Sequence, residues 1–428
     1  MKIGIDCRTI LNPGHGELAG VGHYTYYLVK NLLALDKKNN YVLFFDNRFR
    51  SFSQFEQANV AIRTFPFYQY KKYLPLAYSQ MLISAVLDRE KLDIFHSPAN
   101  TLPLPYNRAA VVTVHDLAIY KYPKLFPGAL LDRQSFATKI LVPRSLAKAA
   151  KIIAVSKNTK KDIIEEFGVA EDKIEVIYEG VAGGKKDCPQ ADFFQAVKHK
   201  FGLGDKYFLF IGTIEPRKNL VALIRAFRNL KLIYDSPVKD YQLIIAGASG
   251  WSDAAIYEAI ADANASILGQ KKQRHGCERR SGFDNRSGAK KQKQGERRIG
   301  NERRLNQPIR HLGYVSQQEK LSLLCHAASF VFPSLYEGFG LPVLEAMSLG
   351  APVITSNLSS LPEIAGENNA LFVDPSKEAE IGDALQQIVM DVGLREALII
   401  NGYRRAQEFG WRQCAQATLA VYQAALAK

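Results

Sequence analysis

The chain has 428 residues, of which 47% are hydrophobic and 23% are charged, and its formal net charge is +14. A chain of that length is too long to fold around one ordinary hydrophobic core. Two α/β domains of about 200 residues each are therefore expected in a globular protein. The longest apolar stretch, at 75–87, falls short of the roughly 20 residues of a membrane span. The N-terminus has the pattern of a buried strand and no signal-peptide pattern.

The cysteine pattern indicates neither a zinc site nor a set of disulfides. The cysteines are odd in number and scattered, and no CxxC pair occurs, which excludes a zinc ribbon. A disulfide framework is not expected, and a reducing cytoplasm is the expected location. The five are Cys7, Cys188, Cys277, Cys325 and Cys414.

The first half of the chain alternates continuous apolar strands with helical patterns, as in a parallel sheet covered on both faces. A glycine-rich turn is predicted at 20–25, GVGHYT, after which Tyr24, Leu28, Leu32 and Leu35 repeat at helical spacing. Residues 1–185 are predicted to form a Rossmann-like domain. Its predicted strands lie at 2–6, 41–45, 93–97, 110–116, 152–156 and 174–180.

A stretch rich in Gly, Lys and Pro at 183–190 is predicted to be a linker, after which the same alternation restarts. Residues 191–408 are predicted to form a second Rossmann-like domain, in which a helix opens with the capping box of Ser316 and Glu319. The final helix, 409–428, has one apolar face and is expected to pack back on the N-terminal domain. Predicted strands of this half lie at 207–212, 241–247, 310–315, 329–334, 351–356 and 370–375.

Residues 270–304 interrupt the pattern. They contain thirteen Lys or Arg and four Asp or Glu, a net +9 of the chain's +14, and almost no aliphatic residues. Such a segment cannot build a core, so we expect a disordered basic surface insertion. Nucleic-acid binding is the alternative, and it is not expected, because Phe283 is the one aromatic residue available for base stacking.

The stretch SLYEGFGLPVLEAMSLGAPVITS (334–356) is the most informative. A strand leads into a turn with two glycines, and Pro342 suits the first turn of the helix that follows. Free N–H groups at a helix start favour an anion or sugar hydroxyls. Glu337 and Glu345 supply carboxylates that suit a vicinal diol. The alternative is that Glu337 is a solvated loop residue and Glu345 only complements the helix dipole. This motif alone is equally consistent with that alternative.

A second motif, GTIEPRKNL (212–220), lies at the end of the first strand of the same domain. It places Arg217 and Lys218 just before a helix, at the edge of the sheet where parallel strands bind their ligands. Two cations there would neutralise a diphosphate. A solvated basic turn is the alternative.

Together these motifs carry a family resemblance. EGFGLPVLE resembles the E-x7-E motif of retaining glycosyltransferases of family 4, and GTIEPRKN resembles the phosphate-binding turn of that family. SNLSSLPEIAG (356–366), VVTVHD (111–116), IIAVS (152–156) and the N-terminal glycine turn match in order and spacing. The resemblance covers nearly the whole chain apart from the basic insertion. It implies the GT-B fold, an α/β architecture in which two Rossmann-like domains face each other across a cleft.

The resemblance also implies a role for individual residues. Glu345 would bind the ribose hydroxyls, Glu337 the donor sugar, and Arg217 with Lys218 the diphosphate. This chain has Thr213 where many members have Arg, which leaves the positive charge to Arg217 and Lys218. The other implied contacts to the nucleotide sugar are Gly212 in the phosphate turn, Val315 at the base, Gly22 at the phosphate, and the backbone amides of Phe339, Gly340 and Leu341 at the sugar hydroxyls.

His115 ends the segment VVTVHD, and the resemblance places it near the transferred sugar. The alternative is a structural histidine satisfied by its neighbours, which is common at the end of a strand. A DxD motif is absent from the sequence, so a metal-bridged diphosphate of the GT-A type is not expected, and no metal or other cofactor is predicted. Cations and a helix N-terminus would stabilise the leaving diphosphate. The family resemblance implies retention at the anomeric carbon.

The EPRKN turn resembles that of mannosyltransferases in bacterial surface-polysaccharide and lipopolysaccharide assembly. GDP-mannose is therefore the expected donor, with a UDP-linked sugar as the alternative, and the acceptor is expected to be a glycan or lipid-linked glycan. The segment 65–78 mixes aromatic residues with Lys71 and Lys72, which is typical of an interfacial contact, or equally of a core-packing segment with two exposed lysines. The expected location is cytoplasmic, peripheral at the inner face of the plasma membrane.

Two other function classes stay open. One is a degenerate binding protein that engages nucleic acid or anionic lipid through its basic insertion. The other is a nucleotide-sugar epimerase of GT-B architecture, which binds a donor and needs no acceptor.

Overall fold

The computed structural model describes residues 1–11, 20–74, 76–126, 133–280 and 307–427. These residues divide into two compact units, each built on one parallel sheet, which confirms the predicted α/β fold class. Within the described residues, no helix is long and apolar enough to cross a membrane. The first unit comprises Met1–Ala182, Glu337–Leu341 and Gln407–Lys428, and the second comprises Gly183–Tyr336 and Pro342–Ala406.

The strands of the first unit are β1 (Lys2–Asp6), β2 (Asn40–Asp46), β3 (Val60–Phe65), β4 (Ile94–Ser97), β5 (Ala110–Val114), β6 (Lys151–Ala154) and β7 (Ile174–Val176). They form one parallel sheet in the order β3-β2-β1-β4-β5-β6-β7. Helices cover both faces, which explains why the central strands are continuous apolar runs. Edge strand β3 was not predicted, because its half-buried sequence VAIRTF lacks such a run.

The first helices of the chain are α1 (Val21–Leu35), α2 (Phe67–Tyr73), α3 (Leu76–Arg89), α4 (Ala118–Lys121), α5 (Arg133–Lys148) and α6 (Lys157–Phe167). The ends of α6 follow local sequence rules. The Ser156 side chain accepts a hydrogen bond from the Thr159 amide, and Gly168 ends the helix with a φ of 62°.

The predicted glycine turn at 20–25 is mostly helix. Gly20 has a φ of 58°, and α1 begins at the next residue, so Gly22 lies in the first helical turn. The prediction was wrong because one glycine with positive φ completes the reversal. Backbone N–H groups of the first turn need no intrahelical partner, so Gly22 is tolerated there.

The second unit contains β8 (Tyr207–Ile211), β9 (Gln242–Ala246), β10 (Ile309–His311), β11 (Ser329–Phe332), β12 (Val353–Ser356) and β13 (Leu371–Val373). Their order in the parallel sheet is β10-β9-β8-β11-β12-β13. Each has a counterpart among the predicted strands. Around them lie α7 (Ala191–Phe201), α8 (Leu220–Leu232), α9 (Ala254–Arg280), α10 (Gln317–Cys325), α11 (Leu341–Ser348), α12 (Leu361–Ala365), α13 (Glu378–Met390) and α14 (Val392–Ala406).

Helix α10 has the predicted capping box. The Glu319 amide donates to the Ser316 side chain, and the Glu319 carboxylate accepts from the Ser316 amide, so two orphan donors are satisfied reciprocally. The prediction is confirmed.

The helix before the basic segment is longer than expected. Helix α9 includes residues 270–280, so the predicted start of the insertion at 270 is wrong. Most of QKKQRHGCERR are strong helix formers, and propensity continues the helix without an apolar stripe. The rest of the predicted insertion lies outside the described residues, which resume at residue 307.

One cysteine pair departs from the sequence expectation. Cys188 and Cys325 form a disulfide across 137 residues of chain, joining the segment before α7 to the end of α10. Cysteines so far apart meet only through tertiary packing, so their spacing carried no signal. Cys7 and Cys414 are buried free thiols.

The last helix, α15 (Trp411–Leu426), lies in the first unit. Its apolar face includes Trp411, Cys414 and Tyr422, which are buried in one cluster with Tyr24 and Leu28 of α1. The Tyr422 hydroxyl also bonds a ring nitrogen of His96 at 2.7 Å. The helix is therefore anchored by apolar packing and by a buried polar contact.

Candidate functional site

The turn after β8 carries the first set of predicted residues. Gly212 directly follows the strand, and a 3-10 helix spans Pro216–Lys218. The Arg217 guanidinium lies 2.6 Å from the buried Glu215 carboxylate and donates to the Tyr336 carbonyl at 2.8 Å. Arg217 therefore ties the turn to the residue that precedes Glu337.

Lys218 is buried at the same edge of the sheet. Its ammonium group lies over the Phe332 ring, 4.9 Å from the ring centroid. Phe332 is the last residue of β11, which pairs with β8 in parallel. The fold thus holds a cation where the carboxyl ends of two adjacent strands meet, the usual ligand position in such sheets.

Close backbone approach shapes the neighbouring loops. Gly247, after β9, has a φ of 147°, and a β-carbon there would lie 1.8 Å from the Gly212 carbonyl oxygen. The Gly247 amide donates to the Gly313 carbonyl at 2.8 Å. Val315 follows two residues later and is buried just before α10 begins. Gly247 thus contacts Gly212 on one side and Gly313, two residues before Val315, on the other.

Glu345 has a partner that the sequence analysis missed. It is the fifth residue of the eight-residue helix α11, and its carboxylate lies 2.7 and 2.6 Å from the Lys320 ammonium through its two oxygens. In the second half of a helix a carboxylate is disfavoured by the helix dipole. The alternative explanation for Glu345, complementing that dipole, does not fit this position.

His115 follows β5 in the first unit, and neighbours engage both of its ring nitrogens. Nδ1 lies 3.1 Å from the buried Glu179 carboxylate, and Nε2 lies 2.8 Å from the Pro98 carbonyl oxygen. Both partners are hydrogen-bond acceptors, and either ring nitrogen can be the donor. The His115 and Tyr24 rings are nearly perpendicular, with centroids 4.7 Å apart. Glu179 lies 64 residues away along the chain, so no local motif connects it with His115.

The segment Glu337–Leu341 belongs to the same unit as His115. Glu337 is buried, and a β-carbon on Gly338 would lie 1.6 Å from the His115 carbonyl oxygen. The Gly338 carbonyl accepts hydrogen bonds from the Ser156 and Thr159 hydroxyls, at 2.6 and 3.1 Å. Only glycine permits this approach, so the backbone beside Glu337 is fixed by shape.

The next residues of that segment complete the predicted set. Phe339 is buried against Tyr178 and Phe409, with centroid distances of 6.3 and 6.0 Å. Gly340 has a φ of 103°, which favours glycine, and Leu341 begins α11. Gly22, the remaining predicted residue, is buried in α1. Within the described residues, no group of three or more His, Cys, Asp or Glu side chains has the arrangement of a metal site.

Comparison with known proteins identifies the family. Residues 18–182 match the family described as Glycosyltransferase Family 4, and residues 192–405 match the family described as Glycosyl transferases group 1. The chain is 32% identical over 331 residues to the O-antigen chain mannosyltransferase B of Escherichia coli, a match that covers 77% of this chain and 74% of that relative.

A second relative is longer than this chain. The serotype-specific mannosyltransferase WbdA of Escherichia coli is 26% identical over 326 residues, which cover 75% of this chain and 34% of that protein. This chain therefore spans about a third of that relative.

A solved structure shows the same fold. The crystal structure of Anabaena HepE with UDP and glucose superposes with a TM-score of 0.66 at 15% identity, covering 99% of this chain and 100% of that one. The two family matches cover the N-terminal and the C-terminal half of the chain. The chain therefore belongs to glycosyltransferase family 4, with a group 1 glycosyltransferase domain in its second half, and it is a glycosyltransferase.

Proposed function

We propose that the protein transfers a mannosyl residue from GDP-mannose to a glycan or lipid-linked glycan during surface-polysaccharide synthesis. The relatives named as O-antigen and serotype-specific mannosyltransferases support the sugar and the pathway class. The observation that carries the chemistry is the buried Lys218 at the carboxyl ends of β8 and β11. A cation held there is placed to stabilise a leaving diphosphate.

The second unit binds the nucleotide part of the donor in this proposal. Lys218 contacts the diphosphate beside Gly212, Val315 lies against the base, and Glu345 accepts hydrogen bonds from the ribose hydroxyls. Arg217 acts mainly by holding the turn, because its guanidinium already contacts Glu215 and the Tyr336 carbonyl.

The first unit handles the sugar. Glu337 and the backbone amides of Phe339, Gly340 and Leu341 bind its hydroxyls, Gly22 approaches the phosphate, and His115 approaches the transferred residue. The anomeric C–O bond breaks with its electron pair moving to the diphosphate. The acceptor oxygen then bonds the same face of the anomeric carbon, and its proton passes to the departing phosphate oxygen.

Catalysis is metal-independent in this proposal, because Lys218 supplies the positive charge that a bridging metal would supply. Transfer should persist in excess EDTA. Complete loss that magnesium restores would reject metal independence while leaving the family assignment intact.

We also infer that α3 rests on a membrane surface, where a lipid-linked acceptor would lie. Helix α3 has large apolar residues on both its buried and its exposed side. Ile83 and Leu87 are buried, whereas Tyr78 and Met81 on the outer face are 62% and 59% exposed, and Tyr73 at the end of α2 is 70% exposed. Aromatic and apolar side chains grouped on an exposed face are typical of interfacial contacts.

Vesicle co-sedimentation tests the membrane contact. Replacing Tyr78 and Met81 by Ser should reduce binding to vesicles of anionic phospholipid, and transfer to a soluble acceptor should be unchanged. Met390→Ser is the matched control, since that methionine is 64% exposed at the end of α13 in the other unit. Equal binding of all three proteins would reject the contact.

The donor is tested by incubating the protein with GDP- and UDP-linked sugars and a glycan acceptor. Release of GDP from GDP-mannose, dependent on the acceptor, is expected. Isomerised sugar without nucleotide release would favour the epimerase alternative, and binding without turnover would favour a degenerate binding protein. Glu345→Ala should weaken donor binding, while Glu337→Ala should mainly slow transfer.

A further inference from the structure

The ion pair between Lys320 and Glu345 is not explained by the helices that carry it. Lys320 is the fourth residue of α10, near the positive end of that helix, and Glu345 lies in the second half of α11, toward its negative end. Each charge is therefore placed where its own helix dipole disfavours it. Since neither helix gains from its charge, the pair is stabilised by the attraction between the two side chains.

The pair has a geometry suited to orientation. The Lys320 ammonium touches both carboxylate oxygens, at 2.7 and 2.6 Å, and the two side chains are only 22% and 13% exposed. The terminal torsion of a glutamate is soft, and a donor shared by both oxygens restricts it. Each oxygen keeps a further lone pair, so the carboxylate can still accept from two neighbouring hydroxyls.

One ammonium nitrogen lies within hydrogen-bond distance of both carboxylate oxygens. The fixed carboxylate also lowers the ordering cost of binding, because the side chain does not have to be immobilised when the ligand arrives. The arrangement is thus ready to receive a vicinal diol before any ligand binds.

We propose that Lys320 is a positioning residue for the nucleotide ribose, holding the Glu345 carboxylate oriented to accept hydrogen bonds from the 2′ and 3′ hydroxyls. The inference rests on the proposed nucleotide-sugar function. It adds to it a second residue, on a different helix, that controls recognition of the ribose.

The test compares a ribonucleotide with its 2′,3′-dideoxy form. Affinities for GDP and dideoxy-GDP, and for the UDP pair in parallel, are measured calorimetrically on the parent and on Lys320→Met. The parent should prefer the ribonucleotide. The affinity of the variant should fall about tenfold for the ribonucleotide and little for the dideoxy form, as expected when a charge-assisted hydrogen bond is lost. Lys320→Arg should retain most of the preference.

Lys200→Met is the matched control. Lys200 pairs with Glu319, the neighbour of Lys320 on α10, so this variant removes an ion pair from the same helix and leaves Glu345 untouched. Its affinity for both nucleotides should equal that of the parent.

Four outcomes overturn a proposal. If Lys320→Met binds the ribonucleotide as the parent does, or loses the ribonucleotide and dideoxy form equally, Lys320 does not position a ribose ligand. If Lys200→Met shows the same selective loss, the effect belongs to α10 as a whole. If the parent binds neither GDP nor UDP, the proposed function itself fails, which the parent measurement alone reveals.

Discussion

The two units of this protein fix most of their candidate residues by different physical means, apart from His115 with Glu179 in the first unit and Gly212 with Gly247 in the second. In the second unit, charged side chains meet opposite charges or an aromatic face: Arg217 with Glu215, Lys320 with Glu345, and Lys218 over Phe332. In the first unit, positions are fixed by backbone approach and hydroxyl donors, as where Gly338 meets His115 and Ser156. The second unit should therefore be sensitive to changes of charge, and the first to changes of shape.

The largest effect is expected from a single added methyl group. In Gly338→Ala the new β-carbon would lie 1.6 Å from the His115 carbonyl oxygen, so the backbone must move. That shift misplaces Glu337 and the amides after it together, and transfer should fall by at least about 1,000-fold. Initial rates of transfer and thermal unfolding would be measured side by side.

Gly269→Ala serves as the control. It adds the same methyl group within α9, where nothing lies within 4 Å of the new atom. Activity should be unchanged, and stability should rise slightly through helix propensity. If Gly338→Ala transfers sugar as well as this control, shape does not govern the first unit.

The second prediction concerns charge in the second unit. Lys218→Ala removes the cation at the β8 and β11 strand ends and should lower transfer by about 100-fold, the effect of losing one preorganised electrostatic group. Lys186→Ala, which removes an exposed lysine of the same unit, should have no effect. Steady-state kinetics with the nucleotide sugar would compare the two variants. Equal activity of Lys218→Ala and Lys186→Ala would contradict the prediction that the second unit depends on charge.

The third prediction concerns the pH dependence of stability that arises from the buried His96 in the first unit. His96 is buried between the Tyr422 and Thr113 hydroxyls, and burial, with the nearby His115, lowers its pKa from 6.5 to about 3. The unfolded chain therefore binds a proton that the folded chain does not. The stabilisation is present above about pH 6.5 and is lost as the pH falls toward 3.

Chemical denaturation at pH 7 and pH 5 would measure this loss. From His96 alone, the free energy of unfolding should fall by about 2 kcal/mol over that interval. His96→Asn should be less stable at pH 7 but should lack this part of the acid dependence. The same pH dependence in both proteins would show that His96 does not titrate as its burial requires.

The smallest effect on transfer is expected from a substitution in the first unit that removes a charge but keeps the shape of the side chain. Glu179→Gln retains an oxygen that can accept from His115 but removes the negative charge, and transfer should fall by about tenfold, the loss of roughly one charge-assisted hydrogen bond. Rates from pH 6 to 9 would be compared with the parent. A loss as large as that of Lys218→Ala would mean that both units depend on charge alike.

Much of the fold was predictable because its determinants are local. Buried parallel strands are continuous apolar runs, and of the thirteen strands in the described part of the chain, twelve have predicted counterparts. Edge strand β3 was missed because it is only half-buried. The start of the basic insertion was misplaced because helix propensity carried α9 beyond its last apolar residues.

The sequence by itself determined the two-sheet α/β architecture, the capped start of α10 and the motifs that contain Lys218, Glu337 and Glu345. These depend on apolar periodicity, turn residues and short spacings, all of which are visible in a few neighbouring residues.

Only the tertiary structure decided which side chains act together. Lys320 meets Glu345 across 25 residues, Glu179 meets His115 across 64, and Cys188 meets Cys325 across 137. No local pattern marks such pairs, because each depends on where separate helices and strand ends come to lie once the sheets have formed. The sequence therefore placed charges near the strand ends, and the fold determined which of them are already paired.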